Sequence, residues 1–342
     1  MSDPRHKIRL GLVGLGYWGP KLLQKFSRIE AAEVVRFCEK SEDLLRDFAE
    51  RYPLRYPPTV SFEELISNES YPLDAVIVVT PPETHAALVA QAMLRGLDVF
   101  VEKPLATNLQ DALYLAKLAR EKNRVLMVDH TFCYDHALLY VRNLLSDRKF
   151  GTADFQGSAF EWLGARKKPQ GPSILWDSGP HAVAAMLFLL KKTPERISMR
   201  VVENLSENIP ATMTGYAEFT DGHKAEIRLA WQDGVLDGKI VEKAARVAIF
   251  GDRRKVLYEG TFGKREVLLH HDWDGAILAP GLTYEDEPLQ TVCEEFIRAV
   301  AEGGSAFTDG DFGAKVVAIL EAAERSCMRE GEPIPIVLPQ LS

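Results

Sequence analysis

Cysteine is scarce. Four occur in 342 residues, Cys38, Cys133, Cys293 and Cys327, and no two lie within ten residues of one another. A structural zinc site or a redox dithiol needs closely spaced thiols, so neither is expected and no metal is called for. Cysteines this sparse act as small buried hydrophobes in a reducing compartment, which makes the expected location cytoplasmic. Long apolar runs are missing too. The longest, Ala182 to Leu190, falls far short of the roughly 20 residues that a membrane span needs. The stretch after Lys7 and Arg9 is short, glycine-broken and without a small-residue cleavage site, so it reads as a strand and not an export signal. No basic block stands out among 41 Lys and Arg against 49 Asp and Glu, a net charge of −8. A nucleic-acid backbone is therefore not an expected partner. Gly 24 and Pro 19 are ordinary, which excludes collagen-like and low-complexity architectures.

What is present is a regular alternation. Up to residue 128, short apolar runs (Ile8–Gly14, Glu33–Glu39, Ala75–Thr80, Asp98–Val101, Val125–Val128) alternate with helical patterns. Ala75–Thr80 is almost wholly aliphatic, the mark of a strand buried on both faces. Ser61-Phe62-Glu63-Glu64 matches a capping box, with Ser61 accepting from the third helical amide and Glu64 reaching back. Such alternation implies right-handed crossovers and a doubly wound parallel sheet. After residue 128 strands follow strands, with a hairpin signal at Asp221-Gly222. This half is expected to be α+β around a large, mainly antiparallel sheet. The expected domains are 1–128, nucleotide-binding, and 129–342, substrate-binding and assembly.

Gly14-Leu15-Gly16-Tyr17-Trp18-Gly19 follows a strand and opens a helix. Gly14 permits the tight turn, Gly16 lets a pyrophosphate approach, and Gly19 lets helix and strand pack closely. The pyrophosphate would sit on free helix N-terminal amides. Glu39 lies 20 residues beyond Gly19 at the end of the second strand, where a carboxylate binds ribose hydroxyls. Glu39 repels a 2′-phosphate and favours NAD; adjacent Lys40 could offset this, so NADP stays open. Thr80-Pro81-Pro82, with His85 one turn on, and Glu102-Lys103-Pro104 end two further strands. Doubly wound sheets bind ligands at that edge; the alternatives are a proline-stopped strand and solvated charges. Trp176-Asp177-Ser178-Gly179-Pro180-His181 leads into the apolar helix. Asp177 and His181 are four apart and meet on one face if the segment is helical. A carboxylate there stabilises the imidazolium, while the helix N-terminus disfavours it, a balance suited to a general base. The alternative is an N-capping Asp and a partly buried His.

Together and in this order, the motifs resemble those of the Gfo/Idh/MocA oxidoreductases (glucose-fructose oxidoreductase, inositol dehydrogenase and relatives). The chain is also similar to a branch with Gly16–Pro20 and Asp129–Phe132 as they stand here, often linked to sugar-nucleotide or polysaccharide pathways. The resemblance implies a Rossmann domain followed by an open antiparallel sheet whose outer face forms a homodimer or homotetramer. It implies that Lys103 and His181 contact the reacting hydroxyl or carbonyl, with Asp177 in support. Lys103 would also touch the cofactor, its bond to Pro104 often being cis, and His130 would lie near nicotinamide and sugar. The expected cofactor residues are thus Gly14, Gly16, Tyr17, Trp18, Gly19, Glu39, Thr80, Pro81, Pro82, His85, Glu102 and Lys103. Substrate would meet Lys103, His130, Trp176 and His181. The expected reaction is hydride transfer between NAD(P) and a secondary hydroxyl or keto group of a sugar, polyol or nucleotide-linked sugar. An NAD-dependent glycoside hydrolase or eliminase working through a keto-sugar, and a non-catalytic NAD-sensing regulator, remain alternatives. Gln232–Ala244 looks longer than the usual link between its strands, and Arg166-Lys167-Lys168-Pro169 reads as a solvated loop or a phosphate contact.

Overall fold

The strand-and-helix rhythm of the first third closes into a five-stranded parallel sheet, order β2-β1-β3-β4-β5. Its strands are β1 (Ile8–Val13), β2 (Ala32–Cys38), β3 (Ala75–Val78), β4 (Asp98–Glu102) and β5 (Leu126–Asp129). Between them run α1 (Gly19–Phe26), α2 (Glu42–Arg51), α3 (Phe62–Ser67), α4 (Pro82–Leu94) and α5 (Leu109–Lys122). The computed structural model describes residues 7–146, 155–165, 173–206, 209–232, 235–236, 239–240, 244–251, 254–261, 264–271, 276–278 and 287–338. Asp154 and the Arg166–Pro169 run lie outside these residues.

Every residue of β3 is fully buried, as its aliphatic composition requires of a central strand. Ser41, Ser61 and Asn108 each cap a helix by accepting from the third helical amide. The capping box at Ser61 is half made. Ser61 accepts from the Glu64 amide at 3.2 Å, but the Ser61 amide donates to Thr59 Oγ1 at 3.1 Å. Glu64 is drawn elsewhere. Its carboxylate accepts from Arg36, which is 1 % exposed, and from Thr59 Oγ1 at 2.6 Å. A buried guanidinium demands a carboxylate more strongly than a surface amide does.

The second sheet has nine strands in the order β15-β14-β13-β12-β6-β9-β8-β7-β16 among the described residues. They are β6 (Phe155–Ala165), β7 (Arg196–Ser206), β8 (Ile209–Glu218), β9 (Lys224–Gln232), β12 (Ala244–Gly251), β13 (Arg254–Thr261), β14 (Lys264–His271), β15 (Ala276–Leu278) and β16 (Ile334–Pro335). All its pairings are antiparallel except β6 with β9. Asp221-Gly222 turns the β8–β9 hairpin, with Gly222 at φ +84°. Within the long Gln232–Ala244 stretch, β10 (Val235–Leu236) and β11 (Lys239–Ile240) pair with each other; the rest of that stretch is not described. The helices here are α6 (His136–Ser146), α7 (Ile174–Asp177) and α8 (Gly179–Leu190), followed by α9 (Pro288–Glu302) and α10 (Gly310–Cys327).

The chain falls into two compact units. The first holds residues up to His130 together with Leu289–Val317, and the second holds Thr131–Pro288 with Ala318–Gln340. Phe296 of α9 belongs to the core of the first unit, edge-on to Phe26 at 6.2 Å and to Phe100 at 5.5 Å. Among the described residues, no helix is long and apolar enough to cross a membrane.

Candidate active site

The glycine turn after β1 is shaped by its neighbours. Gly14 sits at φ +94°, and a Cβ there would lie 2.6 Å from the Val79 carbonyl oxygen. A Cβ on Gly19 would lie 2.5 Å from the Gly14 carbonyl oxygen. Both positions exclude any side chain for reasons internal to the protein. Gly16 differs: it is exposed, and nothing approaches its would-be Cβ within 4 Å. Open space over the middle glycine is what a pyrophosphate needs. At the start of α1, Trp18 makes no side-chain cap and no acidic residue lies in the first turn. These residues fit a dinucleotide phosphate at that helix N-terminus. Tyr17, 71 % exposed, and Trp18 stand edge to face at 5.3 Å, with Lys21 Nζ 3.6 Å and 4.3 Å from their ring centres. Glu39 accepts from the Leu15 amide at 2.9 Å and from the Ser41 amide at 3.1 Å. Its carboxylate is thus fixed beside the glycine turn, with acceptor positions left for a ribose diol.

The ends of β3 and β4 lie on the same edge of the sheet. Pro81 and Pro82 start α4 at the cap and first helical position. Thr80 Oγ1 meets Thr84 Oγ1 at 2.6 Å, and Thr84 donates onward to the Pro81 carbonyl at 2.7 Å. His85 is fully buried, and its burial holds its pKa below the ordinary range. Its Nδ1 lies 2.7 Å from the Pro104 carbonyl and its Nε2 2.8 Å from the Thr80 carbonyl. Each ring nitrogen thus faces a main-chain carbonyl. Lys103 is half-buried, and its bond to Pro104 is cis. Glu102 is buried and accepts from the Lys103 amide at 3.0 Å.

Next in the sheet, β5 ends at Asp129-His130. His130 is 1 % exposed, edge-on to Phe312 at 5.5 Å, and neither ring nitrogen has a hydrogen-bond partner. Burial, aided by the positive charge of Lys103, pushes its pKa down to about 3, so it is uncharged near neutrality. Lys25 is a charge that pattern reasoning did not single out; Asp129 opens the Asp129–Phe132 motif. Both are buried, and with Glu102 they act on the thiol of Cys293, which burial raises well above its ordinary range.

In the second unit, Asp177 ends α7 and His181 lies in the first turn of α8, with Ser178 as the shared cap. Ser178 has helical dihedrals, and the His181 amide donates to its carbonyl at 3.1 Å. The capping position therefore falls to Ser178 and not to Asp177, and Pro180 occupies the first turn as its missing amide allows. Two aromatic rings flank the His181 imidazole. Phe132 stands edge to face with it at 5.1 Å, and Trp162 is stacked at 6.2 Å. Neither was expected to touch it; they come from positions far apart in sequence, and only the Asp129–Phe132 motif hinted at one. Trp176 is half-buried, its indole Nε1 donating to Glu324 Oε1 at 2.9 Å. Among the described residues, no cluster of three His, Cys, Asp or Glu could hold a metal ion.

Residues 8–130 match the model of the oxidoreductase family with an NAD-binding Rossmann fold, Gfo/Idh/MocA. A UDP-N-acetylglucosamine 3-dehydrogenase of Acidithiobacillus ferrooxidans is 28% identical over 327 residues, 91% of this chain and 94% of that protein. An uncharacterized oxidoreductase of Streptococcus pneumoniae is 26% identical over 56% of this chain and 53% of its own length. For a glycosyl hydrolase family 109 protein of Shewanella amazonensis the figures are 25%, 52% and 40%. The match thus spans about half or less of the length of those last two relatives. A solved levoglucosan dehydrogenase in complex with NADH superposes with a TM-score of 0.82 at 16% identity, over 98% of this chain and 100% of that one.

Proposed function

With residues 8–130 matching the model of the Gfo/Idh/MocA oxidoreductases, we propose that the chain is a member of that family and an NAD-dependent dehydrogenase acting on a secondary hydroxyl of a nucleotide-linked sugar. The observation that carries the proposal is Lys103, standing at the carboxyl end of β4 beside the uncharged His130. Both lie on the sheet edge that bears the glycine turn, the edge where doubly wound sheets place their ligands. The near full-length likeness to a UDP-N-acetylglucosamine 3-dehydrogenase supports the substrate class. Glu39, fixed beside the turn, supports NAD over NADP.

NAD, when bound, supplies the hydride acceptor. Gly14, Gly16 and Gly19 shape the phosphate cradle, Tyr17 and Trp18 border it, and Glu39 binds the ribose. The Lys103 ammonium donates a hydrogen bond to the reacting oxygen and stabilises negative charge on it. His181 takes the hydroxyl proton, or returns it in reverse, with Asp177 stabilising the imidazolium. Trp176 contacts the sugar, whereas His130, 1 % exposed, offers it no surface. Assembly into a homodimer or homotetramer through the outer face of the nine-stranded sheet, in the cytoplasm, completes the reading.

The test is reduced-nicotinamide absorbance with UDP-N-acetylglucosamine and other sugar nucleotides. Lys103→Ala and His181→Ala should each lower turnover at least about a hundredfold with NADH affinity nearly unchanged. Full activity in both variants overturns the assignment. A second reading, glycoside cleavage with NAD retained, draws support from the family 109 relatives. Sugar release without net NADH accumulation would favour it.

A further inference from the structure

We propose that His85 is a positioning residue, buried between the Thr80 loop and the Lys103 loop, whose Nδ1–H holds the Pro104 carbonyl and thereby fixes where Lys103 stands. The inference rests on the reading of Lys103 as the group that meets the reacting oxygen. Three observations carry it. The imidazole is fully buried, so it contacts no bulk solvent. Its two nitrogens reach two separate loops, Nδ1 to the Pro104 carbonyl at 2.7 Å and Nε2 to the Thr80 carbonyl at 2.8 Å. Each loop in turn leads to the candidate site. Pro104 follows Lys103, and Thr80 lies against the glycine turn, where its Cγ2 is 3.1 Å from a would-be Cβ on Gly14. Through one ring the position of Lys103 is thus referred to the turn that cradles the cofactor.

A carbonyl oxygen only accepts and a neutral imidazole carries a single ring hydrogen. With the pKa held down by burial, the ring donates to one of the two carbonyls, and the tie requires that one to be Pro104. A hydrophobic residue of similar size would fill the space and donate to neither. The charges around the ring are Glu83 on the same helix and Lys103 itself, opposite in sign. The contact to Pro104 is the one that bears on Lys103.

Asparagine and glutamine separate the two contacts. In His85→Asn the amide nitrogen replaces Nδ1 and can donate to Pro104; in His85→Gln it replaces Nε2 and can donate to Thr80. A small displacement of a reacting group costs on the order of tenfold to a hundredfold in rate. His85→Gln and His85→Leu should therefore lose at least about tenfold in kcat with KM for NAD within about threefold, while His85→Asn stays within about threefold of wild type. Hydrogen exchange at the Lys103 and Leu105 amides, which needs no turnover, should accelerate in the Gln and Leu variants and not in Asn. Equal behaviour of Asn and Gln in exchange overturns the tie. A chain inactive on every sugar that still shows the exchange contrast overturns the functional reading alone. Should the variants fail to fold, nitrogen NMR of wild-type His85 decides: the tie requires an exchange-protected proton on Nδ1, and a bare Nδ1 refutes it.

Discussion

Two glycines of one turn should fail in different ways when given a methyl group. In Gly19→Ala the new Cβ meets the Gly14 carbonyl at 2.5 Å, and backbone has to move. Overpacking of this kind costs about 1–3 kcal/mol, offset by up to about 1 kcal/mol of helix propensity. At about 2–4 °C per kcal/mol, the protein free of cofactor should melt a few degrees lower. Gly16→Ala meets no protein atom within 4 Å and needs no left-handed backbone, so its melting temperature should hold or rise slightly through the stiffer unfolded chain. The cofactor reverses the comparison. A ligand at 100 times its Kd adds about 2.7 kcal/mol, which is about 5–10 °C in wild type. If the Gly16 methyl occupies the pyrophosphate's approach and weakens binding a hundredfold, only about 0.4 kcal/mol of that gain remains. Differential scanning fluorimetry with and without NADH reads both effects. A full NADH shift in Gly16→Ala, or a melting temperature without cofactor as low as that of Gly19→Ala, would refute the assignment of the open space to the phosphates.

Other consequences are more local. Gly215→Ala places a Cβ 1.8 Å from the Ser198 carbonyl oxygen on the neighbouring strand, so it should cost about 3 kcal/mol or more, seen as loss of the second unit's urea transition. Arg36→Met leaves the carbonyls of Pro57 and Glu64 without the donors now 2.8 and 3.2 Å away; each orphaned carbonyl should cost about 1–3 kcal/mol in urea unfolding. His130 is held neutral with its pKa down at about 3, while in the unfolded chain it titrates near the usual value of about 6.5. Below that pH the unfolded chain binds a proton that the native state refuses, so stability falls as pH drops from about 6.5 toward 3, by at most about 1.4 kcal/mol per unit. His130→Phe should flatten that part of the profile, and an unchanged slope would show that the histidine is not buried neutral.

How far the sequence was legible follows the range of the forces involved. Strand alternation, the Ser61 cap, the Asp221-Gly222 turn and the close approach at Gly19 are all settled within a few residues. Patterns at that range report them well. Glu64 shows where such reading stops, since its local partner lost to Arg36, 28 residues away. His85 shows it again. A Thr-Pro-Pro followed by His suggests a ligand contact, and only the fold brings Pro104 to the other ring nitrogen. The rings beside His181 come from 49 and 19 residues upstream, and no helical or strand period links such positions.

The same reasoning predicts the behaviour of the N-terminal portion by itself. A boundary near residue 128 treats the parallel sheet as complete, yet β5 is its outer strand and an uncovered edge exposes unpaired amides. Here the chain returns to cover it. The Val128 amide donates to the Thr308 carbonyl at 2.8 Å, and Thr308 Oγ1 donates back to the Val128 carbonyl at 2.7 Å. Gly310 and Gly313 then let α10 approach until a Cβ would touch Leu126 or Val128 below 3 Å. From α9, Val292, Phe296 and Ile297 are buried in the first unit. At about 1.5–3 kcal/mol each, their burial rivals the whole stability of a domain, about 5–15 kcal/mol. A fragment ending at residue 130 should therefore aggregate or lack a cooperative melt, and joining residues 289–317 to it through a flexible linker should restore one. Circular dichroism melts of the two fragments decide the matter. A cooperative transition in the shorter fragment, equal to that of the longer, would show that the returning segment decorates a sheet already complete.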